Sequence, residues 1–329
     1  MEQYRIIQSL ADAVSYSAKT NYEVAKILES DANCFFSIHS VESIDCVSDK
    51  KRIWFLAQAW TFDEIKRLVE RGIENFIVDN TSDLDALLSF LSSRDCKVSL
   101  LLRMKLKENT IHTGKHFVFG MHSEEVNRLI PGLRKNPKIS SLGIHFHRKT
   151  QNLSEWSLRQ ELEDSLSKES LLCIDTVNIG GGIPVRYKNF SVDTTARIFA
   201  EINQLRQWLN SKKIRMIIEP GRFLAAPCIK LETNIRLVYG DSIIVDASVY
   251  NSEMDTFVAN IKLEIEGEKD SGQAFTVKGQ TPCSMDIFRY RVFLSNPRAG
   301  DKIVFINAGA YNFSSDFCSL RKLDTVIVD

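Results

Sequence analysis

One feature constrains this chain more than any other: a regular alternation of two textures. Short runs rich in β-branched and aromatic residues recur through the first two thirds, namely "AVSYSAK", "NCFFSI", "RIWFLAQ", "NFIVDN", "VSLLLR", "SLGIHFH", "DTVNIGG" and "RMIIEPG". Between most of them lie helix-like segments such as "YEVAKILES", "TFDEIKRLVERG", "TSDLDALLSFLSS", "SEEVNRLIPGLRK" and "TTARIFAEINQLRQWLN". Their apolar residues recur at i, i+3, i+4 and i+7, and several open on a Thr or Ser able to cap a helix. Eight buried strands alternating with helices over roughly 220 residues match a (β/α)8 TIM-like barrel. A doubly wound open sheet would show about five or six strands and a glycine-rich first turn, which is absent here.

After about residue 223 the texture changes. "IKLETNIRLVYG", "DSIIVDASVY", "IKLEIEG", "QAFTVKG", "YRVFLS" and "DKIVFINAG" read as strands separated by turn residues, without long helical repeats. The expected fold class is therefore α/β, with a barrel over residues 1–222 and a smaller C-terminal all-β domain over residues 223–329.

Composition excludes several function classes. Forty-two basic residues balance forty-two acidic ones among 329, so no global field favours nucleic acid or an anionic membrane. The start, "MEQYRIIQSLADAV", lacks the basic and apolar regions of a signal peptide, and no stretch approaches the ~20 apolar residues that span a bilayer. The seven cysteines are scattered and include no CxxC pair, which argues against zinc and against a disulfide framework. Free thiols in a reducing cytoplasm are expected, with no metal site.

In a barrel of this kind the active site forms at the C-terminal strand ends. Those ends carry Lys19, Arg103, His145 and His147, the run Gly180-Gly181-Gly182, then Glu219 and Arg222. Taken singly each has a bland reading: "GGG" is usually a tight turn, and "HFH" usually packing. Together they form a toolkit. A triple glycine lets backbone N–H groups approach a phosphate, and an arginine can hold the same group. A lysine can form a Schiff base with an aldehyde, and a carboxylate can keep a pyridine nitrogen protonated. The set suits pyridoxal 5′-phosphate.

"YSAKTN", "GIHFHRKTQ", "NIGGGIP", "EPGRFLAAP" and "NAGAYN", in this order, resemble the fold-type III pyridoxal-phosphate decarboxylases. That family includes ornithine, diaminopimelate and carboxynorspermidine decarboxylases and shares its barrel with alanine racemase. The resemblance runs from about residue 14 to the C-terminus. It implies Lys19 as the Schiff-base lysine and His147 as the imidazole stacked on the pyridine ring. It further implies Gly180, Gly181 and Gly182 as the phosphate cradle, helped by Arg222 and the Tyr311 hydroxyl, with Glu219 facing the ring nitrogen. The implied reaction is α-decarboxylation of an amino acid or amino-acid-like substrate, releasing CO2 and an amine.

The chain departs from the family pattern in informative places. Fewer residues than usual precede the lysine strand, and the end at "DTVIVD" is abrupt, compatible with one module of a longer polypeptide. In "CFFSIHSVE" Phe36 falls where an aspartate is usual and His39 on a serine, while Glu42 keeps the acid. Lys149 replaces a glycine beside the stacking histidine, and Thr150 keeps a hydroxyl. In the family, a segment of the form "GPxCDSxD" crosses a dimer interface into the partner's site, its cysteine protonating Cα and the next acid reading the distal substrate group. Here "GQTPCSMD" keeps Gly279 and Asp286. Aligned without gaps it puts Pro282 on the cysteine; with a one-residue slip, Cys283 is the cysteine and Ser284 replaces the acid. Either way the carboxylate that would read a distal amine is missing. Cys283 is expected to act catalytically, with Arg103, Ser284 and Asp286 on the substrate side.

The expectation is thus a cytoplasmic homodimer with shared sites, acting on a small molecule without nucleic acid or membrane partners. Its substrate would differ from a simple diamino acid. An example is a 3-amino-3-carboxypropyl group carried on a larger molecule, as in microcin C-type antibiotic maturation. Two alternatives stand beside it. A racemase on the same scaffold needs a second base, and Tyr239 and Tyr250 lie outside any matching motif. A non-catalytic relative of the antizyme-inhibitor kind would have lost cofactor contacts, which this chain keeps.

Overall fold

Eight strands close on themselves in a computed structural model that describes residues 1–106, 119–311 and 314–328. They are β1 (Ala13–Ser17), β2 (Phe35–Ile38), β3 (Ile53–Leu56), β4 (Asn75–Val78), β5 (Val98–Arg103), β6 (Ile139–His145), β7 (Thr176–Asn178) and β8 (Arg215–Ile218). Each pairs in parallel with the next, and β1 closes the ring against β8 through Ala13↔Ile217 and Val14↔Ile218. The expected (β/α)8 architecture is what the chain forms.

Local chemistry explains the elements. Thr61 and Glu64 form a reciprocal capping box that starts helix Phe62–Glu70. Asn21 starts helix Tyr22–Asp31, its side-chain oxygen accepting the N–H groups of Glu23 (3.0 Å) and Val24 (3.3 Å). At the β1–β8 seam Asp12 accepts the Met216 N–H (2.8 Å) and pairs with Arg206 (2.7 Å). Ala13, Phe35, Trp54, Leu56, Ile77, Leu101 and Ile217, drawn from strands around the ring, meet as one apolar cluster. Gly143 on β6 is required by close approach: a Cβ there would lie 2.0 Å from the Thr176 carbonyl oxygen and 2.8 Å from a Leu101 methyl.

The chain divides into two compact units, residues 1–184 with 193–221 and residues 185–192 with 222–329. Residues 185–192, which the linear reading of the sequence left with the barrel, group with the second unit through main-chain bonds such as Lys188 N–H to the Lys262 carbonyl (2.9 Å). That unit holds a six-stranded mixed sheet of β9 (Leu231–Tyr239), β10 (Ser242–Val245), β11 (Glu264–Ile265), β12 (Ala274–Lys278), β13 (Ile287–Phe293) and β14 (Lys302–Ile306). The strand order is β11-β14-β9-β10-β12-β13, with only β10 and β12 parallel. The unit is not purely β. The expected strand "DSIIVDASVY" stops at Val245, and Val249–Ser252 forms a short helix because Ser248 and Asn251 make a second capping box. Another short helix, Asp255–Val258, follows.

No described helix is long and apolar enough to cross a membrane. Replacing Gly143 by Ala should cost about 1–3 kcal/mol, the range for overpacking a filled core. Urea unfolding would show it as a lower midpoint at unchanged slope.

Candidate active site

Inward-facing positions at the strand ends carry a buried polar network instead of apolar packing. Its centre is Glu219, just past β8. One carboxylate oxygen accepts the Ser37 hydroxyl (2.6 Å) and the Asn178 amide (2.9 Å), and the other accepts Nε2–H of His145 (3.2 Å). The Ser15 hydroxyl stands 2.7 Å from that of Ser37 and extends the network to β1. Burial would raise the Glu219 carboxyl, but its interaction with His145 and the Ser37 hydrogen bond outweigh it and hold Glu219 well below the usual carboxylate range. It is an ionised carboxylate at neutral pH.

Lys19 projects from the turn Ala18–Thr20 directly after β1. That turn is pinned by the Ser17 N–H donating to the Pro220 carbonyl (3.1 Å), and Gly221 lets it approach, since a Cβ there would lie 2.4 Å from Thr20 Oγ1. Lys19 and His147 are solvent-accessible yet hemmed in by protein, as groups on a concave wall are. Desolvation holds the Lys19 ammonium below its ordinary value; Glu219 opposes the shift and Arg103 adds to it. Desolvation, then the Arg103 and His145 charges, lower His147 to about 3, and its Nδ1 accepts the Gly181 N–H (3.3 Å). His147 is therefore a neutral imidazole held in orientation by the glycine turn.

The triple glycine is demanded first by packing. A Cβ would lie 2.4 Å from the Phe146 carbonyl at Gly180, 2.4 Å from the Glu219 carbonyl at Gly181, and 2.7 Å from the Lys149 carbonyl at Gly182. The Gly180 N–H donates to Asn178 Oδ1 (3.0 Å). Arg103, from β5, pairs with buried Asp79 (3.0 Å), which also accepts the Gln58 amide (2.7 Å).

Sequence reasoning named Lys19, Arg103, His147, Gly180–Gly182 and Glu219, and the barrel unit brings these together. It named His145 at a strand end without assigning it a role, and it did not name Ser37, Asn178 or Ser15. A signal existed, because each is a polar residue on the inward phase of an otherwise apolar strand. The same alternation revises the comparison at Phe36. Phe36 is fully buried under the Arg52 guanidinium (5.0 Å), on the face opposite Ser37, so the inward residues there are Ser37 and His39.

The residues fit pyridoxal phosphate. They offer an amine of weakened basicity, a flat neutral imidazole and an ionised carboxylate for a ring N–H. Nδ1 of His39 and Nδ1 of His145 are buried without a hydrogen-bond partner, two unspent polar atoms beside those groups. Among the described residues no group of three or more His, Cys, Asp or Glu could hold a metal.

In the second unit Arg222 pairs with buried Asp255 and donates to the Tyr187 hydroxyl (3.2 Å). Its guanidinium lies 4.9 Å from the Tyr311 ring centre. Burial pushes the neighbouring Glu253 carboxyl well above its ordinary value. Elsewhere in that unit Cys283 and Ser284 are exposed on the β12–β13 loop, while Asp286 is buried. The Asp286 carboxylate accepts the Val249 N–H (2.9 Å), the Thr281 N–H (3.0 Å) and the Thr281 hydroxyl (2.7 Å), so it is engaged within its own unit.

Comparison with known proteins supplies a family. A model described as "Pyridoxal-dependent decarboxylase, pyridoxal binding domain" matches residues 5–226. Over 281 residues the chain is 26% identical to the 2-[(L-alanin-3-ylcarbamoyl)methyl]-2-hydroxybutanedioate decarboxylase of Staphylococcus aureus, covering 77% of this chain and 70% of that one. Over 279 residues it is 26% identical to the diaminopimelate decarboxylase of Zymomonas mobilis, covering 79% of this chain and 66% of the relative. The chain thus spans about two thirds of these relatives' length. Among solved structures, diaminopimelate decarboxylase from Helicobacter pylori complexed with L-lysine matches with a TM-score of 0.81 at 19% identity, over 96% of this chain and 86% of that one. Lysine/ornithine decarboxylase complexed with putrescine from Vibrio vulnificus gives 0.79 at 19%, over 100% and 91%. At that identity the likeness is one of fold.

The depressed imidazoles predict acid sensitivity. Desolvation, then the Lys19 charge, lowers His39 to about 3, and His147 is lowered likewise, against an ordinary 6.5. The unfolded chain binds protons that the folded one refuses, so this stability is complete above 6.5 and is lost as pH falls toward 3. Urea midpoints should drop from neutral to mildly acidic pH, above the carboxylate range, and drop less in His39→Asn.

Proposed function

The chain belongs to the pyridoxal-dependent decarboxylase family, and from that premise we propose that it removes the α-carboxylate of an amino-acid-like substrate whose distal end is not a free amine. The observation that carries the reaction class is the ionised Glu219, satisfied by Ser37, Asn178 and His145, at the same barrel mouth as the amine of Lys19. When bound, pyridoxal phosphate supplies an electron sink for the pair released as CO2 leaves. The protein's part is placement and charge. Lys19 would attach the cofactor, its lowered basicity keeping more of the amine in the neutral, nucleophilic form. His147 would lie against the ring and Glu219 would keep the ring nitrogen protonated. The Gly180–Gly182 turn would receive the phosphate, a role that the family motifs also give Arg222 and Tyr311.

The substrate reading rests on the loop "GQTPCSMD". A distal ammonium calls for a carboxylate partner. Ser284 offers none, and the Asp286 carboxylate is occupied by three donors of its own unit. One relative's name spells an L-alanine unit joined through an amide to a hydroxybutanedioate, and a substrate of that general kind, in specialised metabolism, suits such a loop. Seven unpaired cysteines favour a reducing compartment such as the cytoplasm. Cys283 acts as proton donor to Cα in a homodimer, reaching the partner's site.

Two experiments test these points. Trapping of CO2 should show release from an amino acid with an amide-linked, carboxylated side chain at a kcat/KM about tenfold or more above that for lysine, ornithine or diaminopimelate. Lys19→Ala should abolish both the release and the visible cofactor band; equal rates on lysine, ornithine or diaminopimelate would sink the substrate reading. Mixing inactive Lys19→Ala with inactive Cys283→Ala subunits should restore about a quarter of wild-type activity, because half the dimers are mixed and each mixed dimer has one intact site. No recovery would mean that the site is not shared.

A further inference from the structure

The loop between β12 and β13 is built around a buried carboxylate. Besides the three donors on Asp286, the Gln280 N–H bonds the Ala247 carbonyl (2.9 Å) and the Asp286 N–H closes back on the Cys283 carbonyl (3.0 Å). Gly279 makes room for this clamp, since a Cβ there would lie 2.1 Å from Asp286 Oδ1. These bonds tie the loop to residues 247–249, where the helix Val249–Ser252 begins. The result is that Cys283 Sγ stands 2.9 Å from the Tyr250 hydroxyl. The Tyr250 ring is itself fixed, stacked on Phe257 (5.6 Å, 25°) and packed against Phe317 (5.9 Å).

From this geometry we infer that Tyr250 is a positioning residue for Cys283, holding its sulfur in place and stabilising the thiolate left once the thiol proton has been given up. The inference rests on the proposed role of Cys283 as donor to the substrate's Cα. In that step the S–H bond breaks and a Cα–H bond forms. The S–H electron pair stays on sulfur, and the pair in the new bond is the one freed when CO2 left. The exposed thiolate then recovers a proton from water. A hydroxyl bond to an ionised sulfur is charge-assisted, so it strengthens as the proton departs.

The Tyr250 bond, helped by the Met285 backbone, holds the Cys283 thiol below its ordinary value against the Asp286 charge. Tyr250, facing Cys283, Asp286 and Cys318, is pushed up to about 12, which keeps it a donor at any working pH. A thiol made more acidic is a better proton source near neutrality.

Iodoacetamide alkylation of Cys283, read by peptide mass spectrometry from neutral to alkaline pH on the cofactor-loaded protein, tests the pair. Tyr250→Phe keeps the ring stack and removes only the oxygen. Its thiol titration should move up by about one pH unit, and alkylation near neutrality should slow about tenfold. The alkaline limb of CO2 release should move up by the same interval, because the donor form survives to higher pH. An unchanged thiol titration in Tyr250→Phe overturns the inference. A shifted titration beside CO2 release and product unaffected in Cys283→Ala supports the pair and overturns the donor role alone.

Discussion

The barrel mouth depends on one buried charge. A carboxylate in a protein interior costs on the order of several kcal/mol unless donors are waiting for it. Glu219 meets Ser37 from β2, His145 from β6 and Asn178 from β7, with Ser15 of β1 behind Ser37. Each donor is placed by strand alternation, so the ring must close in this register for the carboxylate to be satisfied. Losing any one of these donors leaves part of a buried charge unsatisfied. Apolar packing and polar specification thus share the strands, with Leu101 and Ile217 in an apolar cluster and Ser37 and Asn178 holding the charge.

The main chain around Glu219 also fixes the neighbouring turns. Gly181 packs against the Glu219 carbonyl while its own N–H fixes the His147 ring. Gly221, two residues past Glu219, admits the turn that bears Lys19. The glycines therefore serve close approach before they serve any ligand. A side chain at Gly181 would meet the Glu219 backbone carbonyl, and one at Gly221 would meet the Thr20 hydroxyl, so neither position takes a Cβ without a shift. The amine, imidazole and carboxylate are positioned as one assembly because the same strand ends carry them and the same contacts hold them.

Much of this was legible in the sequence, and physical reasons separate what was from what was not. Eight strands could be read because helix and strand differ in period, and parallel strands buried on both faces make conspicuous apolar runs. Lys19, His147 and Glu219 could be named because they sit in short motifs at strand ends. Ser37 and Asn178 were missed because a lone Ser or Asn in a strand has no local signature; its role appears only when the ring closes. Residues 185–192 were misplaced because membership of the second unit is set by long-range pairing, such as Lys188 with Lys262. The short helix Val249–Ser252 looked like strand because "SVY" has β propensity, and the Ser248–Asn251 capping box overrode it.

The β12–β13 loop shows how an identity can persist while its surroundings reassign it. Asp286 sits where a sequence comparison finds an acid, yet three donors and the missing Cβ of Gly279 draw it inward. A carboxylate that has spent its lone pairs on the protein is a weak counter-ion for a ligand, because freeing it would orphan the buried N–H of Val249 and the part-buried N–H of Thr281. Its strength goes into loop geometry, and the chemistry left at the exposed tip belongs to Cys283 and the Tyr250 hydroxyl beside it. In the proposed reaction this divides the labour of the loop. The buried acid sets where the sulfur stands, and Tyr250 sets how readily that sulfur parts with its proton. Discrimination among substrates then falls to shape and hydrogen bonding, which suits a distal group that carries no ammonium.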